Sequence, residues 1–136
     1  MPDVDESLAD EALARLTIYS DTKSADDLAA EFAAAPDEKW NKGEPDRRGT
    51  PYATTAIEFC SQVPASQPPS EHLADLLTRI EPLAAELREQ VESGSSPHLK
   101  LAVFADTDNP MFALSAEVLR RVAALDLDLH FDIYEL

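Results

Sequence analysis

Four segments of this chain alternate apolar and polar side chains with a period of two, and stripes of helical period separate them. A period of two puts successive side chains on opposite faces of a strand, while apolar residues three and four apart line one side of a helix. The clearest alternation closes the chain, where Leu127, Leu129, Phe131 and Ile133 interleave with Asp128, His130, Asp132 and Tyr134. Residues 14–20 set Leu16 and Ile18 against Arg15, Thr17 and Tyr19. Residues 54–63 set Ile57 and Phe59 against Glu58 and Cys60, and residues 98–105 set Leu99, Leu101 and Val103 against Lys100, Ala102 and Phe104.

Between these strands, Ser24 with Asp27 three residues on has the form of a helix cap, Leu28 and Phe32 give the stripe, and Pro36 ends it. Ser70 opens a longer helical region whose stripe is Leu73, Leu76, Leu77, Ile80, Leu83, Leu87 and Val91. Pro82 lies inside it and predicts a kink or a division into two helices, because proline lacks an amide hydrogen. Ser115 caps a last helix with Val118, Leu119, Val122 and Leu125 inward. The run Leu16-Thr17-Ile18-Tyr19-Ser20-Asp21-Thr22 parallels Leu101-Ala102-Val103-Phe104-Ala105-Asp106-Thr107. The expected fold is therefore α+β: two βαβ halves in one four-stranded sheet, with helices mainly on one face, in the ferredoxin-like manner. Periodicity leaves the strand order open.

At 136 residues the chain suits one domain, read here as residues 13–136 behind an acidic, loosely ordered lead at 1–12. Pro2, Asp3, Val4, Asp5 and Glu6 lack the basic and apolar regions of a secretory signal, and no apolar run approaches the length of a membrane span. A cytoplasmic protein without a membrane segment is expected. The 27 acids against 11 bases give a net charge of −16, which disfavours nucleic-acid backbones and steers a basic protein toward this surface. The same charge also serves solubility, so charge alone does not establish a partner.

Catalytic signatures are missing. His72, His98 and His130 fit no metal-ligand spacing, Cys60 is the sole cysteine and lies in an alternating strand without an adjacent base, and three glycines cannot build a phosphate-cradling loop. No metal and no cofactor are expected. His130 shares a strand face with Asp128 and Asp132, which suits a solvated salt-bridged cluster. Residues 36–51 hold three prolines and two glycines and read as an irregular loop; its Trp40 is either a lid over the edge of the core or a functional group. The partner-binding candidates are Tyr19, Trp40, Glu58, Phe104, Asp128, His130, Asp132 and Tyr134, aromatics among acids on the sheet face away from the helices. That face could equally be covered by the loop or close a homodimer.

The segment 24–28, Pro36-Asp37 followed by Lys42-Gly43, Leu76-Leu77 with Ile80-Glu81-Pro82-Leu83, and Leu114-Ser115-Ala116-Glu117-Val118-Leu119 through Asp132-Ile133-Tyr134 resemble the DUF4279 family, over about residues 14–136. Their order and spacing carry the resemblance. It implies a small bacterial domain of unknown function, permits an immunity-like role in bacterial competition, and brings no catalytic residues. Tyr52-Ala53-Thr54-Thr55 stands where the family's tryptophan-bearing strand follows the glycine loop. Two functions follow as expectations. One is a non-catalytic acidic domain that binds a protein, such as an immunity or inhibitor protein against a basic toxin or nuclease; the alternative is a small-molecule-binding or enzymatic domain with its pocket under the 36–51 loop. An anionic DNA mimic, with acids spaced regularly along one face, is a third.

Overall fold

Leu16, Ile18 and their alternating neighbours form β1 (Glu11–Ser20) in a computed structural model that describes residues 11–106 and 111–135. The chain continues through α1 (Ala25–Ala30), β2 (Glu38–Trp40), β3 (Thr55–Cys60), α2 (Pro69–Ile80), a 3₁₀ turn (Glu81–Leu83), α3 (Ala84–Glu92), β4 (Ser96–Ala105), α4 (Ala116–Ala124) and β5 (Leu129–Glu135). The fold is α+β with a five-stranded mixed sheet ordered β2-β3-β1-β4-β5. β1 lies antiparallel to both β3 and β4, β2 is antiparallel to β3, and β4 is parallel to β5.

Register puts Ala14, Leu16 and Ile18 of β1 on the same face as Ile57 and Phe59 of β3 and Leu99, Leu101 and Val103 of β4. Every one of them is buried, together with Leu28 of α1, Leu73, Leu76, Leu77 and Ile80 of α2, and Val118 and Val122 of α4. All strand residues in this core belong to that one face. Fully burying each of its leucines contributes about 1.5–3 kcal/mol. The expected caps form: Ser24 Oγ accepts from the N–H of Asp27 at 3.1 Å, and Ser115 Oγ accepts from that of Val118 at 3.1 Å.

Several expectations need correction. The sheet has five strands and not four, because Glu38–Trp40 pairs with β3 inside the segment read as an irregular loop. Three residues are too few to show a period. The rest of that loop is an ordered hairpin extension: the Gly43 N–H donates to the Tyr52 carbonyl and the Tyr52 N–H to that of Glu44, Pro45 bridges Pro51, and Gly49 turns the tip at φ 83°, a left-handed conformation that glycine adopts freely. The first supposed βαβ half is not one, since β1 and β3 are antiparallel neighbours; β4, α4 and β5 do form a parallel pair with a helical crossover. Glu11 and Ala12 of the supposed lead belong to β1, where Ala12 is buried against the core face, and residues 1–10 lie outside the described residues.

Helix ends and stripes also differ. α1 stops at Ala30, well before Pro36, with Glu31 as its C-cap, and α2 begins with Pro69 at its first turn instead of at a Ser70 cap. Pro82 sits in the 3₁₀ turn, whose three residues per turn shift the helical phase. Leu87 stays inward, but Gln90 takes the buried place expected of Val91, which is exposed. Leu119 is exposed as well, so α4 packs on Val118 and Val122. Among the described residues no helix is long and apolar enough to cross a membrane.

Candidate functional site

On the other face of the sheet the side chains fall in rows set by register. Glu38, Glu58, Thr17 and His98 lie across β2, β3, β1 and β4; Cys60, Arg15, Lys100 and His130 lie across β3, β1, β4 and β5. Rings pair along this surface. Trp40 stacks on Tyr52 with centroids 4.8 Å apart, Phe104 stacks on Tyr134 at 4.9 Å, and His98 meets Tyr19 edge-on at 5.3 Å and lies tilted against His130 at 5.7 Å. Offset and edge-on rings at such separations attract beyond the area they bury.

Charged groups sit between the rings. Lys100 Nζ lies 3.2 Å from Asp132 Oδ2, and the Tyr134 hydroxyl donates to the same oxygen at 3.2 Å. Burial pulls the Asp132 pKa upward, but Lys100, Tyr134 and the charge of Arg15 outweigh it and hold the carboxyl below its ordinary value. Glu58 is buried, accepts from Thr17 Oγ1 at 2.8 Å and receives the Cys60 thiol at 3.6 Å. Burial first, and then the Glu58 carboxylate, push the Cys60 pKa up to about 12, so this thiol is a donor and not a nucleophile. Glu38 stands directly across from Glu58, and neither forms an ion pair among the described residues. Like charges directly opposite repel.

Beneath the hairpin that joins β2 to β3 lies a cleft of about 760 Å³, walled by the Trp40–Tyr52 stack, Glu38, Asp46, Glu58 and Cys60, with Arg15, Arg47 and Arg48 around it. None of these three arginines is ion-paired among the described residues. At its end, Ser61 Oγ lies 2.7 Å from His72 Nδ1. His72 Nε2 lies 3.0 Å from the Pro64 carbonyl, which only accepts, so that nitrogen carries the proton and Nδ1 accepts from the serine hydroxyl. The same oxygen accepts from the Ala14 N–H at 3.0 Å. With His72 only 1% exposed, the pair is a buried clasp joining β1, the residue after β3 and α2.

Of the residues expected on this face, Tyr19, Trp40, Glu58, Phe104, His130, Asp132 and Tyr134 share it. Asp128 lies exposed, one residue before β5 begins; among the described residues His130 forms no ion pair and faces His98, while Asp132 bonds Lys100. Trp40 belongs to β2 and covers the polar face, not the core edge. Tyr52, Arg47, Arg48 and His98 were missed. The glycines and prolines of 43–51 signal a hairpin, which would have brought Tyr52 back onto Trp40. Among the described residues no three His, Cys, Asp or Glu side chains group to hold a metal ion.

The model of one family, described as Domain of unknown function (DUF4279), matches residues 10–136. No curated protein and no solved structure matches the chain.

Proposed function

We propose that this chain, which belongs to the DUF4279 family, is a non-catalytic domain that binds a basic protein through the polar face of its sheet. The observation that carries this reading is the set of ring pairs Trp40–Tyr52, Tyr19–His98–His130 and Phe104–Tyr134 on one face, with Glu38, Glu58 and Asp132 between them. Aromatic rings supply contact area at low entropic cost, and carboxylates select the sign of the partner. The local charge is mixed, since Arg15 and Lys100 share the face; the net charge of −16 acts at longer range, speeding encounter. Immunity or inhibition against a basic bacterial toxin or nuclease, in the cytoplasm and away from nucleic acid, is the role this chemistry suits.

The reading extends to the fold. β1, α1 and β2, then β3, α2–α3 and β4, follow the order of a ferredoxin-like unit with β2 closing the first half, and β5 is an added edge. Interstrand contacts measured by NMR that gave another strand order would remove this inference.

The test is a pull-down from host lysate with the wild-type chain and with Trp40→Ala/Asp132→Lys as baits, at low and at about 0.5 M salt. One basic protein, released by salt and held at least ~30-fold more weakly by the variant, is the expected result. Equal retention by both baits, or none by either, overturns the proposal. A second reading rests on Arg15, Arg47 and Arg48 around the Trp40–Tyr52 cleft, not ion-paired among the described residues, which suit a small aromatic anion. Trp40 is the sole tryptophan, so titration with aromatic carboxylates would report binding through its fluorescence.

A further inference from the structure

The geometry points to β5 as the contact between two copies of this chain, its outer edge pairing antiparallel with the same edge of a second copy about a two-fold axis at Phe131. β5 ends the sheet and pairs only with β4 among the described residues, so one row of its backbone N–H and C=O groups has no strand beside it. Edges of this kind are usually guarded by proline, lysine or a bulge. The sequence Leu-His-Phe-Asp-Ile-Tyr-Glu has neither proline nor lysine.

The apolar side of β5 is open. Phe131 and Ile133 lie in register with Leu101 and Val103, which are fully buried, yet they are 48% and 56% exposed. Phe112 touches Phe131 from the chain's own side, with ring centroids 6.2 Å apart. Among the described residues the core face thus runs out to the sheet edge and stops there uncovered.

The side-chain pattern selects the occupant and the register. In an antiparallel self-pairing a two-fold at Asp132 sets that carboxylate against itself, one at His130 sets Asp128 against Asp132, and one at Ile133 sets Phe131 against Glu135. A two-fold at Phe131 pairs Phe131 with its copy, Leu129 with Ile133 and His130 with Asp132, so that apolar meets apolar and a carboxylate meets an imidazole. A two-fold contact also closes, leaving no further β5 edge to propagate a fibre. The two polar faces would then join into one continuous surface. Because each copy carries −16, salt screens the repulsion and strengthens this contact, whereas salt weakens binding of a basic partner. Failure of the one proposal is thereby separable from failure of the other.

Sedimentation equilibrium of the whole chain at low and at about 0.5 M salt tests it. A dimer favoured by salt is expected, weakened on the order of 100-fold by Ile133→Lys while circular dichroism stays native. In a Cys60→Ser background, copper-phenanthroline oxidation of Phe131→Cys should give a covalent dimer. Leu129→Cys and Ile133→Cys should each stay single alone and cross-link when mixed. A monomer at every concentration and salt, a dimer indifferent to Ile133→Lys, or cross-linking by Ile133→Cys alone would overturn the proposal; a foreign strand captured on this edge in place of a second copy would do the same.

Discussion

His72 and Ser61 hold each other 2.7 Å apart in the interior, and between them they satisfy the Ala14 amide of β1 and the Pro64 carbonyl of the proline-rich turn. His72→Ala leaves the serine hydroxyl and the Pro64 carbonyl without their partner and opens a void under α2. A loss of about 2–4 kcal/mol is expected in urea unfolding. Ser61→Ala strips the Ala14 N–H and the imidazole together, and the double variant should lose less than the sum of the two. Strict additivity would mean the clasp is not a coupled unit.

The clasp also sets a pH response. Burial lowers the His72 pKa from the ordinary 6.5, so the unfolded chain takes up this proton more readily than the folded one. Stability is complete above the unfolded value and falls as pH drops below about 6.5. The Glu31, Glu81 and Asp132 carboxyls are held below ordinary values of 4.5, 4.5 and 3.8, so their contributions are lost only on further acidification. Chemical denaturation between about pH 6.5 and 5 should therefore report His72, and His72→Leu should flatten that part of the curve. A slope unchanged in the variant would assign the loss elsewhere.

Much of the architecture was legible because it rests on local periods. Leu16 and Ile18, Ile57 and Phe59, and Leu99, Leu101 and Val103 all face the core as alternation predicts, and Ser24 and Ser115 cap their helices. What alternation cannot carry is pairing between distant segments. Asp37 accepts from Arg79 at 2.8 Å, from the Cys60 N–H at 2.7 Å and from Gln62 at 2.8 Å, so it fixes where β2 begins; no window on the sequence contains all four residues. The Trp40–Tyr52 stack was hidden for the same reason. Alternation begins at Leu127, two residues before β5 starts, so Asp128 falls outside the strand.

Cys60 gives a chemical readout of the polar face. With its pKa pushed up to about 12 from an ordinary 9.0, the native thiol at pH 8 should react with a disulfide reagent on the order of a thousand-fold more slowly than the unfolded chain. Glu58→Gln removes the second-largest cause of that shift and the acceptor of the thiol proton, so labelling of the folded variant should accelerate. Equal rates for both folded proteins would mean that the Glu58 carboxylate is not what raises this thiol.

Glu38 and Glu58 face each other across β2 and β3 on the surface proposed to bind a basic protein. The repulsion between them is a local cost, and it disappears in Glu38→Gln and becomes attraction in Glu38→Lys. Cross-strand pairs contribute roughly 0.2–1 kcal/mol, so Glu38→Lys should stabilise the fold by an amount of that order in urea unfolding. If the two carboxylates together attract a cationic side chain of the partner, the same substitution should weaken partner binding while stability rises. Loss of binding with a gain of stability separates a recognition role from a structural one, because a purely structural pair would move both in the same direction. A Glu38→Lys variant that is more stable and binds undiminished would remove this pair from the proposed interface.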